Sequence, residues 1–376
     1  GCTFPVDLAL AFTGTSRLEA GRLVEALGQA LVRFPPAAGR FVRRDVQPEG
    51  HPEKGLRFCI LCNNAGVAFR EAPADGKMPP TVGLLPPKLF DRALATEPTK
   101  AGGFGGPLLR VQLVAFEDGQ LLALSFVKGL TDAVGLGLFL QCWSSLYRGE
   151  EAARTPYPQL DRVSLELLHT WPQPRIHSDF VKIHHPEPVD SSSAVKGDSV
   201  LSVLFRSEEV QSLAQSTSER CRKSRLIFDS ETLSEAEVVM ATVAESLHSP
   251  VSACWTFDYR EAYGFQTLFG NAYALIDLKL PRDLLGAASA LRKLPKIAED
   301  RDFWSWKAMQ PQPSLEGRLL LDDWLRGLDL QQMRFGTAAP AGVNLSTTFW
   351  RECMGEPSAR GGGRALLLPH AEGVLL

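Results

Sequence analysis

Nothing in this 376-residue chain approaches the roughly 18 consecutive apolar residues that a membrane-spanning helix needs. Residues 132–143 are apolar but too short, and Gly135 and Gly137 within them mark a helix start. No charge of one sign dominates either: the formal net charge is −3 and the pI about 6.2. Neither nucleic acid nor an anionic membrane is therefore called for as a partner. The basic run Arg40–Arg44 is short and reads as a solvated strand end. The seven cysteines are scattered and odd in number, which implies no disulfide framework. Cys59 and Cys62 form a C-x-x-C, but in an extended apolar run alternation puts them on opposite faces, as two core thiols.

Motifs of metal and nucleophile chemistry are missing too. There is no H-E-x-x-H, paired Cys/His cluster or EF-hand loop, so no metal site is expected. His169, His177, His184 and His185 lack the spacing of a two-histidine helical site. Gly102–Gly106 lacks the phosphate-loop pattern and precedes a strand where such a loop follows one. Ser125, Thr131 and Cys142 have no G-x-S-x-G elbow around them, and Cys142 shares an apolar helix stripe with Leu138, Phe139 and Leu146.

What is present is an ordinary globular composition, 44% hydrophobic and 22% charged, in a 41.1 kDa chain long enough for two domains. Leu23, Ala26, Leu27, Ala30 and Leu31 form the stripe of an amphipathic helix that Pro35-Pro36 ends. Arg57 to Glu71 reads as a β-hairpin turning at Asn63–Gly66. Residues 73–107, rich in Pro and Gly, read as a long surface loop with a short helix near Pro87–Ala95. Leu108 to Phe126 alternates like a strand, and Gly135–Gly149 is an amphipathic helix with a Gly stop. Residues 154–199 shift to Pro, His and Ser and read as a crossover. Beyond it, a helix begins at Ser207 as N-cap and another is entered at Ser234. The domains expected are 1–153 and 200–376, joined by 154–199.

One turn carries the chemistry: residues 125–135 read Ser-Phe-Val-Lys-Gly-Leu-Thr-Asp-Ala-Val-Gly, between that strand and that helix. A basic residue, Lys128, stands four positions before Asp132, and the arrangement resembles the HxxxDG motif of the BAHD acyltransferases. Other segments follow the same family in order. They are Ala37–Phe41, Arg57–Ala72, the helix entered at Ser234, Trp255–Tyr263, Leu268–Tyr273 with Gly270 and Asn271, and the closing strand of 364–376. Arg334-Phe335-Gly336-Thr337-Ala338 stands where the family's D-F-G-W-G is expected.

The resemblance implies an α/β fold of two similar mixed-sheet domains with a channel between them. It implies acyl-CoA as co-substrate of an active member, and a histidine general base in the position of Lys128. In the family the aspartate, here Asp132, is structural and pairs with an arginine, for which Arg260 is the candidate. Phe335 and Gly336 remain of the second signature, while Arg334 replaces its acid. An unperturbed lysine titrates near about 10.4, so acting as a base near neutrality needs a depression of about three units, about 4 kcal/mol. The expectation is therefore a chain without transfer activity that works as a subunit in a complex with protein partners. Residues 73–107 and 154–199 would be its docking loops. The alternative is an acyl-CoA-dependent O- or N-acyltransferase with an atypical base. The chain starts at Gly1 rather than Met, so an organellar location, plastids included, is allowed beside a cytoplasmic one.

Overall fold

The computed structural model describes residues 4–14, 17–45, 56–94, 105–150, 156–160, 200–247, 251–308, 318–347 and 363–376. In chain order the first elements are β1 (Pro5–Thr13), α1 (Ala20–Arg33), β2 (Arg40–Asp45), β3 (Leu56–Leu61), β4 (Ala68–Pro73), β5 (Leu109–Ala115), β6 (Gly119–Val127) and α2 (Ala133–Tyr147). Then come β7 (Leu204–Arg206), α3 (Ser207–Lys223), α4 (Glu235–Ser246), β8 (Val251–Asp258) and β9 (Tyr273–Leu280). The last are α5 (Leu284–Ala298), α6 (Arg301–Ala308), β10 (Leu319–Asp323), β11 (Gly342–Leu345), β12 (Gly363–His370) and β13 (Gly373–Leu375).

The chain forms two compact units that are discontinuous in sequence. The first comprises 1–160 together with 269–271 and 327–353; the second comprises 161–268, 272–326 and 354–376. A single cut in the 154–199 region therefore misses two later segments that belong with the N-terminal part.

In the first unit the strand order is β4-β5-β6-β1-β11, with β4 and β5 parallel and the other neighbours antiparallel. β6 is buried along its whole length, as expected of a central strand covered on both faces. On one face Leu85, Leu89 and Phe90 pack against Ala9, Ala11, Val114 and Ala123. On the other lie α1 and α2, where Leu23, Ala26, Leu27 and Ala30 of α1 are buried as the stripe predicts. The Trp143 indole donates to the Leu23 carbonyl at 3.0 Å, so the largest buried side chain of α2 also satisfies its polar atom.

Several expectations are corrected here. Residues 57–71 are not a hairpin: β3 pairs with β2 and β4 pairs with β5. Asn64 and Gly66 do have positive φ, so the turn is real. Its continuation, β4, leads to another sheet. The Arg40 guanidinium donates to the carbonyls of Gly39, Ala65 and Gly66 at 2.8–3.0 Å and is thus a clamp, while the side chains of Arg43 and Arg44 lie outside the described residues. Cys59 is half-buried and Cys62 exposed, because β3 belongs to a two-stranded sheet and not to a core strand. Residues 108–126 are two strands, β5 and β6, that pair with each other.

The described part of the 73–107 loop is tied to the sheet. Asn344 donates to the carbonyls of Thr81 and Gly83 at 2.9 and 3.1 Å, and Arg92 meets the buried Asp7 carboxylate at 2.7 Å. Its helix reduces to a 3₁₀ turn at Pro87–Leu89. Most of 154–199, with its four histidines, and residues 102–104 lie outside the described residues.

In the second unit the strands run β9-β8-β10-β12-β13-β7, with β8, β10 and β12 parallel. Ala253, Trp255 and Phe257 of β8, Ile276 and Leu278 of β9, and Leu321 and Leu367 form an apolar face under the helices. Ser234 caps α4 through a reciprocal box with Glu237, as the sequence predicts. Ser207 is not a cap but the first residue of α3. The Glu209 carboxylate accepts from the Arg206 amide at 3.1 Å and so does part of the capping work.

Candidate functional site

β6 delivers its last residue, Val127, to a tight turn that closes with Leu130 N–H on the Val127 carbonyl at 2.8 Å. Lys128, half-buried, sits in that turn. Its amide donates to the Phe4 carbonyl at 3.0 Å, and its carbonyl accepts from the Asn271 side-chain amide at 2.9 Å. The backbone of Lys128 is thus held from both sides. Asn271 was legible as a motif residue; its contact with this turn was not.

Asp132 is buried, and its carboxylate accepts from the Gly135 amide at 3.0 Å, which makes it the N-cap of α2. A capping carboxylate satisfies an orphan amide and complements the positive end of the helix. Arg260, also buried, donates to the Leu268 carbonyl at 3.1 Å and pairs with Asp258 at 2.9 Å. Asp132 and Arg260 fall in different units, each with the local partners just given.

The start of α2 needs glycine for closeness. A Cβ on Gly137 would lie 1.7 Å from the Gly327 carbonyl oxygen, and one on Gly327 would lie 2.5 Å from the Ala133 backbone. Gly137 is therefore a packing position inside the helix and not part of its start signal. Gly327 escaped the sequence reading, since nothing local marks a residue that meets another 190 positions away.

The second candidate segment is architectural. Phe335 is buried, with its ring edge-on to Phe12, Trp143 and Tyr147 at centroid distances of 5.9, 5.3 and 5.6 Å. Gly336 has φ +70°, the left-handed region that favours glycine, within a turn closed by Phe335 N–H on the Ala338 carbonyl. Arg334 is exposed, and its guanidinium donates to the Thr337 carbonyl at 3.2 Å.

The other candidates near the turn are engaged structurally. The Ser125 hydroxyl donates to the buried Asp7 carboxylate at 2.7 Å, and Cys142 is a core thiol as expected. Among the described residues no group of three or more His, Cys, Asp or Glu is placed to hold a metal. No helix of the described residues is long and apolar enough to cross a membrane. Away from the turn, burial pushes the Cys254 thiol up to about 11 and the Asp323 carboxyl up to about 6.

This strand–turn–helix, with Lys128 and Asp132 four apart, lies inside residues 11–248, which match the model of the Transferase family. The chain belongs to the BAHD acyltransferase family. It is similar to rosmarinate synthase of Plectranthus scutellarioides, 32% identical over 172 residues, which are 43% of this chain and 35% of that protein. It is also similar to the hydroxycinnamoyl-CoA:5-hydroxyanthranilate N-hydroxycinnamoyltransferase HHT1 of Avena sativa, 35% identical over 149 residues, 39% of this chain and 31% of that protein. The chain thus spans about a third of the length of these curated relatives. Among solved structures, TRI101 of F. sporotrichioides, complexed with coenzyme A and T-2, covers the whole chain and 90% of its own at TM-score 0.62 and 13% identity. Vinorine synthase covers 99% of this chain and 85% of its own at TM-score 0.58 and 17% identity. At those identities the likeness speaks for the BAHD fold.

Proposed function

We propose that this BAHD chain lacks the family's imidazole base, with Lys128 in its position, and works as a non-catalytic, protein-binding component of a larger assembly. The observation that carries the reading is the turn itself. Its strand, its cap Asp132 and its clamp from Asn271 form a complete scaffold, and the residue displayed in the base's place is an amine. A general base works best when its pKa lies near the operating pH, a condition imidazole meets and an ordinary lysine does not. Asp132 does not argue for activity, since a helix cap is useful whether or not chemistry occurs.

The test combines native size with turnover. The endogenous protein, gently extracted and fractionated, is expected to co-migrate with other chains at constant stoichiometry. Purified protein is expected to consume no hydroxycinnamoyl-CoA in the presence of alcohol or amine acceptors. Transfer by the wild type that Lys128→Ala abolishes would overturn the reading.

A second reading, an acyl-CoA-dependent O- or N-acyltransferase using Lys128, draws on the intact scaffold. The printed activities of the relatives and the coenzyme A held by TRI101 point the same way. Lys128→His separates the two: a site otherwise intact gains transfer, and one that has lost its function stays silent.

A further inference from the structure

Two groups at the Lys128 turn do more than a purely structural role requires. One is the amine itself, carried on a half-buried residue whose backbone is held by the Phe4 carbonyl and the Asn271 side chain. The other is Asn271. Its Nδ2 donates to the Lys128 carbonyl at 2.9 Å, but its Oδ1 is buried and accepts no hydrogen bond among the described residues. Buried acceptors without a donor are rare in folded proteins, because each carries the full penalty of leaving water.

Geometry separates what a lysine and a histidine do in this place. A general base stands within about 3 Å of the acceptor atom, and that atom within about 3–3.5 Å of the carbonyl it attacks. The four-carbon stem of lysine is longer than imidazole and ends in a nucleophilic nitrogen. A lysine here therefore reaches toward the place of the acceptor rather than the place of the base.

We propose that Lys128 is itself an acyl acceptor, modified once by an acyl thioester of the coenzyme A type, with Asn271 as its positioning residue. The neutral amine attacks the thioester carbonyl carbon. The N–C bond forms, the C–S bond breaks, and the proton lost by nitrogen goes to the departing thiolate. The products are an acyl-lysine amide and a free thiol, with no oxidant or further reactant. An ordinary lysine is neutral about one time in a thousand near pH 7.4. A donor held beside it offsets that fraction, since oriented reactants reach effective concentrations of about 10⁵ M and above. The arm of coenzyme A carries amide N–H groups beyond the thioester sulfur, and these are the donors that the Asn271 Oδ1 lacks. The amide has no nucleophile left, so the reaction stops at one equivalent per chain and is not turnover. The inference rests on the placement of Lys128 in the base's position, as the proposed function does, and adds a ligand class and a modification.

The experiment uses the full chain with acetyl-CoA, followed by intact mass and by mass mapping of the modified peptides. Lys128 is expected to gain an acetyl group at least about tenfold faster than the exposed Lys77 and Lys88, which report chance encounter. Free coenzyme A should slow the reaction at Lys128 and leave the other two unchanged. Lys128→Arg should remove the modification at that position alone. Asn271→Ala should slow Lys128 about tenfold while Lys77 and Lys88 keep their rates. Its rate should still rise with pH in parallel with the wild type, as a change of placement and not of acidity requires. Equal rates at the three lysines, no competition by coenzyme A, or an unchanged Lys128 rate in Asn271→Ala would overturn the inference. Mass shift and co-migration are read independently. A failed acylation leaves the proposed function standing, and repeated transfer to free alcohols or amines removes that function whatever the mass shift shows.

Discussion

In the first unit's sheet, β6 is buried on both faces, and the buried Asp7 carboxylate is shared by Ser125, Ser346 and Arg92. In the second unit's sheet the faces differ. Ala253, Trp255 and Phe257 enter the core, while Cys254 and Thr256 point to the opposite face. There Asp277 meets Arg318 and Lys307, and Asp322 meets Arg364. One sheet buries the Asp7 carboxylate under two hydroxyls and one arginine; the other balances two aspartates against three cations on one face. Buried ion pairs add little net stability but are costly to break from one side. The first unit should therefore be sensitive to lost volume, and the second to lost charge.

The largest effect is expected from Phe335→Ala. Removing a ring that touches Phe12, Trp143 and Tyr147 should cost about 3–5 kcal/mol in urea unfolding. A cost under 1 kcal/mol would mean that the aromatic cluster is not what seats this turn. Asp277→Asn comes next, at about 3 kcal/mol or more, because Arg318 and Lys307 lose their shared counter-charge. The matched Asp7→Asn should cost less, about 1–3 kcal/mol, since an amide oxygen still accepts from a hydroxyl and Arg92, the cation it releases, is partly exposed to water. If the two substitutions cost the same, the contrast between the sheets fails.

Asp323 sharpens the comparison through pH. Burial raises its carboxyl to about 6, against the weaker opposing influences of the Leu325 amide and Arg326, and with Asp322 and Glu237 adding to the rise. An unfolded-chain aspartate titrates near about 3.9. The folded state therefore holds the proton more tightly, and this group's stabilising contribution is present below about pH 3.9 and lost as pH rises through about 6. Asp323→Asn should be neutral in acid and stabilising at pH 8 by at most about 3 kcal/mol. Parallel pH–stability curves for the two proteins would exclude this. The smallest effect belongs to Ser234→Ala, about 1 kcal/mol from loss of the α4 cap, read as a small drop in urea midpoint.

The candidate turn was readable because its signals are close together in the chain. Lys128 and Asp132 are four residues apart, and the helix that follows declares itself by its apolar residues. What the turn is made of was not readable. Asn271 reaches the Lys128 carbonyl across 143 positions, Phe4 reaches its amide, and Gly327 meets Gly137. The aromatic environment of Phe335 is equally silent in sequence, since Phe12 and Trp143 give no local hint of it.

By itself the sequence determined α1, through its stripe and the proline that stops it, and α4, through the reciprocal box of Ser234 and Glu237. It also determined family membership, because an ordered series of short motifs survives even when each is weak. Only the tertiary structure decided that β3 joins β2 and β4 joins β5, that Asn271 clamps the Lys128 turn, and that 269–271 and 327–353 belong to the first unit. The physical reason is range. Helix stripes and caps are satisfied within a turn or two of chain. Strand partners and glycine contacts are chosen among distant segments, by which closure buries apolar surface and leaves the fewest polar groups unpaired.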